Sequence, residues 1–177
     1  MAETATIQNA ATATRNTTMA RRTRTKENKI LSIISLLLLC SCEGVLFHEF
    51  HSTGKSGWNI CDTLEFVYDK GFVKDTAVLI SVDTRTAASY PYKDIIVAIE
   101  VLDTTGAVFS KDTLSCPVYY DDGRRRGHTA GILYQQSGEP AEIDLPYQKN
   151  MLHVTHLMAD TLLKGVYDIG IKIRHRD

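Results

Sequence analysis

The chain has 177 residues, 44% of them hydrophobic, with 20 Lys+Arg, 21 Asp+Glu and four cysteines. Its near-neutral charge averages two unlike parts. Residues 1–41 hold six Lys+Arg and two Asp+Glu, so residues 42–177 keep 14 basic and 19 acidic groups, near −5. That acidic part is long enough for one real core, and its charge argues against nucleic acid as a partner.

Met1 to Thr18 is dominated by Ala and Thr and has no apolar period. Met19-Ala20-Arg21-Arg22 is a better start for an export signal, so translation is expected to begin at Met19. Arg21, Arg22, Arg24, Lys26 and Lys29 form a positive n-region. The apolar stretch Ile30 to Cys40 follows, about half the ~20 residues that a spanning helix needs. This length fits the h-region of a helical signal peptide. Cys42 closes the run Leu36-Leu37-Leu38-Leu39-Cys40-Ser41-Cys42, with small Ser41 just before it and Leu39 three before it. This is the layout of a bacterial lipoprotein signal. Cys40 is the weaker attachment site, because bulky Leu39 precedes it. The expected organisation is a removed segment 1–41, a lipidated tether 42–44 and one domain, 45–177. An ordinary cleaved signal or a short unlipidated anchor is the alternative.

Beyond the tether the chain reads as β, with β-branched and aromatic residues alternating in short runs. Val45 to His51 is the first strand. Thr63 to Tyr68 places Leu64, Phe66 and Tyr68 on one face. Ala77 to Thr84 gathers Val78, Ile80 and Val82. Ile95 to Leu102 is apolar on both faces except at Glu100, as in a central strand. Val108 to Ser115 is followed by Val118-Tyr119-Tyr120 and the turn signal Asp121-Asp122-Gly123. Gly123 to Gly138 is the least regular part, a long loop or a short helix around Ile132 to Gln136. Glu142 to Leu145, Met151 to Met158 and Val166 to Arg174 complete the set. Turns between these runs predict an all-β, antiparallel, jelly-roll-like sandwich.

Several segments in this order resemble a known family. They are the aromatic, His-containing first strand, then Gly57-Trp58 before Asp62, then Tyr90-Pro91-Tyr92-Lys93-Asp94. Asp112 to Val118, Asp122-Gly123 and the closing Gly165 to Ile173 follow. Together they resemble the gliding-motility-associated lipoprotein GldH of the Bacteroidota lineage. The resemblance implies a non-enzymatic envelope component linked to the gliding machinery and the type IX secretion apparatus, carrying acyl chains such as palmitate at Cys42. It departs at Arg124-Arg125-Arg126, where an aromatic or aliphatic residue is expected. Surface export in this lineage calls for an acidic cluster after the lipid cysteine. Here Glu43 stands alone, which favours the periplasmic face of the outer membrane.

Little in the chain looks catalytic. His48 and His51, three apart on a strand, point to opposite faces and do not converge on a metal. His153 and His156 behave alike, and solvated or edge histidines are expected. Asp121 and Asp122 read as a hairpin turn. No nucleophile elbow or phosphate loop occurs, so no cofactor, metal or small-molecule ligand is expected. Arg124, Arg125 and Arg126 read as a solvated loop, with an acidic partner as the alternative. Trp58, Tyr90 and Tyr92 read as packing residues. The competing function is carbohydrate binding, which requires Trp58, Tyr90, Tyr92, Tyr119 and Tyr120 to cluster exposed on one face.

Cys61 and Cys116 remain after the signal and the lipid take the other two. A bridge between them closes a loop of about 55 residues and is worth roughly 4 kcal/mol in the chain-entropy model. Two separate buried thiols are weighed evenly with it.

Overall fold

The computed structural model describes residues 44–71 and 73–176. Met19, Cys40, Cys42 and the expected signal peptide lie outside the described residues.

The described residues form twelve strands and no helix. They are β1 Val45–Ser52, β2 Trp58–Asn59, β3 Leu64–Asp69, β4 Ala77–Thr86, β5 Asp94–Leu102 and β6 Val108–Pro117. Then come β7 His128–Ala130, β8 Leu133–Ser137, β9 Ala141–Asp144, β10 Lys149–His156, β11 Leu162–Leu163 and β12 Val166–His175. One sheet runs β1-β12-β4-β8-β7, with β9 also on β4, and the other runs β3-β10-β5-β6. Strands β8 and β9 take successive stretches of one edge of β4. Counted as one strand, and with the three-residue β7 set aside as an extra edge strand, they complete four strands facing four in jelly-roll order.

Side-chain alternation explains the layers. β10 buries Asn150, Leu152, Val154 and His156 and leaves Met151, His153 and Thr155 half-buried. β5 is flanked by β10 and β6, the central position that its apolar run predicts. Ile80, Val82, Ile95, Val97, Ile99, Leu152, Val154, Ile169, Ile171 and Ile173 fill the space between the sheets.

The registers define two poles. Gly44, the start of β1, the end of β12 and the turns joining β3–β4, β5–β6 and β9–β10 lie at the N-terminal pole. The β4–β5 link, the end of β6 and the turn between β7 and β8 lie at the opposite pole.

The segment expected as a loop or short helix is instead a β-hairpin, β7–β8. Gly127 makes it possible. Its φ is +80°, and a Cβ there would lie 2.1 Å from the Gln135 carbonyl oxygen. No L side chain fits that approach. The short β2–β11 pair was also not visible in the sequence, since two residues carry no period.

Cys61 and Cys116 are not bonded. Cys61 is exposed in the turn after β2, where Asn59 Oδ1 accepts its backbone N–H at 2.9 Å. Cys116 points into the core from β6, and its Sγ lies 3.5 Å from Thr84 Oγ1. Burial pushes the Cys116 thiol up to about 12, against a weaker lowering by the Thr84 hydrogen bond. In the domain from Val45 onward, a maleimide should therefore label Cys61 in the native state and Cys116 only after unfolding. Native labelling of both would contradict this packing, and native labelling of neither would restore the bridge.

Candidate functional site

The opposite pole gathers most of the residues singled out in the sequence. It is built on the Tyr90 to Asp94 link and a small hairpin, Val118 to Arg126. Tyr119 bridges Arg125, and Gly123 donates to the Tyr120 carbonyl at 3.0 Å. Asp121-Asp122-Gly123 is the tip of this hairpin, as the turn signal predicts.

Tyr90 is buried, and its hydroxyl donates to the Asp94 carbonyl at 3.1 Å. Burial raises its phenol well above the ordinary range. Tyr92 packs edge-on against it, with ring centroids 5.7 Å apart, and donates to Asp160 Oδ2 at 2.6 Å. That hydrogen bond is the main cause of a raised Tyr92 phenol. The Tyr119 hydroxyl donates to the Tyr90 carbonyl at 2.8 Å. Trp58 is fully buried; its indole N–H donates to the Asp62 carbonyl at 2.9 Å and its ring meets His156 edge-on. With Trp58 and Tyr90 buried, the five rings do not make the exposed face that sugar binding requires.

The three arginines have separate fates. Arg124 folds back on Asp122 at 2.7 Å and stays exposed. Arg125 is a clamp. It donates to the Ala88 carbonyl at 3.1 Å, to the Tyr119 hydroxyl at 2.8 Å and to Thr86 Oγ1, and it lies over the Tyr134 ring. Its tie to strand, link and hairpin corrects the expectation of a solvated loop at this residue. Arg126 lies over the Tyr120 ring, 4.6 Å from its centroid. Arg126 and Tyr120 line a shallow hollow of about 250 Å³ with Lys93, Asp94, Pro117, Tyr119, Asp121 and Glu139. Lys93 and Asp121 pair across it at 2.6 Å, and each shifts the other toward its charged form. Half-exposed Tyr120 is thus braced by Arg124 and Arg126, and the β7–β8 turn at the same pole carries Ile132, 92% exposed. Tyrosine and arginine are enriched at protein interfaces, and Tyr120 braced by two arginines fits that composition.

Two further clusters were not anticipated. On the outer face of the larger sheet, Asp83 is fully buried, with Oδ2 2.9 Å from His48 Nε2 and 3.1 Å from Lys172 Nζ. These are ion-pair contacts rather than aligned hydrogen bonds, and Oδ1 has no partner among the described residues. Phe50 lies on Gly170, where a Cβ would sit 2.8 Å from the ring, and the Arg85 guanidinium covers Phe50 at 3.9 Å. The cluster fastens β1 across β12 to β4. A lone Asp between Val82 and Thr84, opposite a glycine inside Ile169-Gly170-Ile171, is the signal that could have revealed it.

The second is His156, buried rather than solvated or at an edge as expected. Its Nε2 lies 3.2 Å from the Trp58 carbonyl. Desolvation lowers its pKa, so the neutral ring is favoured. His48 and His51 diverge as expected, toward Asp83 and the Phe66 ring respectively. Among the described residues no group of three His, Cys, Asp or Glu is placed to hold a metal.

The family model described as GldH lipoprotein matches residues 45–173, which is nearly the whole sandwich. No curated protein matches the chain.

Proposed function

The chain belongs to the GldH lipoprotein family, a gliding-motility-associated group of lipid-anchored envelope proteins, and from that premise we propose that it is a non-enzymatic docking component. Lipid on Cys42 tethers it to the periplasmic face of the outer membrane. Its opposite pole presents the Tyr120–Arg126 hollow and Ile132 to another envelope protein of the gliding and type IX secretion machinery.

The observation that carries this reading is the separation of the poles. The strand that follows the tether begins at Val45, while the braced tyrosine, the hollow and Ile132 sit toward the other pole of the sandwich. A lipid at one pole leaves the other free to meet a partner. Two-dimensional confinement raises local concentration, so a modest contact suffices. Chemistry has little to work with here: the Cys116 thiol is buried and held protonated.

Crosslinking of the lipidated protein in cells, followed by purification, should recover envelope motility or secretion components. The paired change Tyr120→Ala and Ile132→Asp should remove those crosslinks without altering the fold, since both side chains are exposed. Recovery of the protein alone after mild crosslinking contradicts the docking role. Crosslinks that survive the paired change place the docking face elsewhere.

A further inference from the structure

We propose that the N-terminal pole is itself a membrane-contacting surface, with the turn between β5 and β6 seated in the lipid headgroup layer. This rests on the reading of Cys42 as the lipid-bearing residue.

The tether is the first argument. From Cys42 to Val45 there are three Cα steps of 3.8 Å, so the first strand begins at most about 11 Å from the lipidated residue. The pole that begins with Gly44 therefore lies against the bilayer surface, whatever the rest of the domain does.

The composition of the turn is the second argument. Thr104, Thr105, Gly106, Ala107, Val108 and Phe109 are six consecutive exposed residues without a charge. Val108 is 56% exposed and Phe109 49%. Phe109 packs edge-on against Tyr147 from the neighbouring turn, with ring centroids 6.0 Å apart. The Tyr147 phenol suits the headgroup layer, where one end is apolar and the other wet, and the Phe109 phenyl adds apolar area at the acyl boundary.

The backbone of the turn is the third argument. Entering a lipid interface is costly if N–H groups are stripped of water without partners. Here the N–H groups of Thr105, Gly106 and Ala107 are already bonded within the turn. Asp103 Oδ1 accepts from Thr105 N at 2.8 Å, Thr105 Oγ1 at 2.7 Å and Ala107 N at 2.9 Å. The Gly106 N–H donates to the Asp103 carbonyl at 3.1 Å. These donors hold the Asp103 carboxyl below the ordinary carboxylate range. The one charge at the base of the turn is spread over donors inside it rather than presented outward.

The two contacts lie apart on one pole. β1 faces β3, as the Phe47–Tyr68 ring contact records, and β6 lies three strands across from β3. At a spacing of ~4.8 Å that is about 14 Å. A lipid alone leaves the domain free to swivel, whereas a second contact across the pole fixes its tilt.

The test uses full-length lipidated protein in vesicles of phosphatidylethanolamine and phosphatidylglycerol, with and without brominated acyl chains. Phe109→Trp and Ile132→Trp are compared, with buried Trp58 as a common background. Bromolipid should quench the added emission of Phe109→Trp several-fold more than that of Ile132→Trp. Vesicle flotation with equal quenching at the two sites overturns the membrane-contact proposal while leaving the lipid anchor intact. Failure to float overturns the Cys42 reading and this proposal with it.

Discussion

Replacing Cys42 by alanine is expected to move the protein from the membrane fraction to the soluble fraction. The magnitudes decide this. Each acyl methylene buried in the bilayer contributes about 0.8 kcal/mol, so two or more chains give stable anchoring. The apolar contacts of the N-terminal pole are far smaller. Val108 and Phe109 are already about half covered, and sinking the remainder contributes on the order of 1–2 kcal/mol each. Such contacts orient an anchored domain but do not retain a free one. Cys40→Ala should leave fractionation unchanged, because bulky Leu39 makes Cys40 a poor attachment point. Membrane retention of Cys42→Ala in carbonate-washed membranes contradicts the anchor, as does loss of retention in Cys40→Ala alone.

Trp58→Ala should cost about 3–5 kcal/mol, the range for removing a large aromatic from a close-packed core. Trp58 is fully buried, closes the β2–β11 corner and faces His156 edge-on. Its loss also leaves the Asp62 carbonyl without the indole donor. Against a typical total stability of 5–15 kcal/mol, this single change removes a large fraction. Trp58→Phe keeps much of the volume and loses mainly the hydrogen bond, worth about 1–2 kcal/mol. Urea unfolding followed by far-ultraviolet circular dichroism measures both. A midpoint unchanged in Trp58→Ala means that the corner is not part of the cooperative core. Tyr120→Ala, on the surface, should shift stability by less than about 0.5 kcal/mol.

The long strands were legible in the sequence because each keeps its period against a single buried face. Phe66 and Tyr68, or Leu152 and Val154, declare their side without help. The β7–β8 hairpin was not legible, because Gly127 and Gly131 interrupt the pattern and Ile132 is apolar yet exposed. A run of three arginines gave no hint that only the middle one is a clamp. Its partners come from three stretches, Thr86 to Ala88, Tyr119 and Tyr134, so only the folded topology brings them together. The same reasoning separates the two thiols. Each sequence neighbourhood permitted a buried cysteine, but Cys61 falls in an outward turn and Cys116 on the inner face of β6.

The pairing of β1 with β12 also has a mechanical meaning. The two strands are matched from Val45–Arg174 to Ser52–Asp168, and the Asp83 cluster fastens β1 from outside. Ladder hydrogen bonds run perpendicular to the strands. Tension from a membrane anchor pulls β1 along its own axis, so the rungs share the load in shear instead of peeling one after another. Under the proposed docking role, load between a partner at the opposite pole and the lipid would run along this direction, and the β1–β12 ladder would meet it in shear.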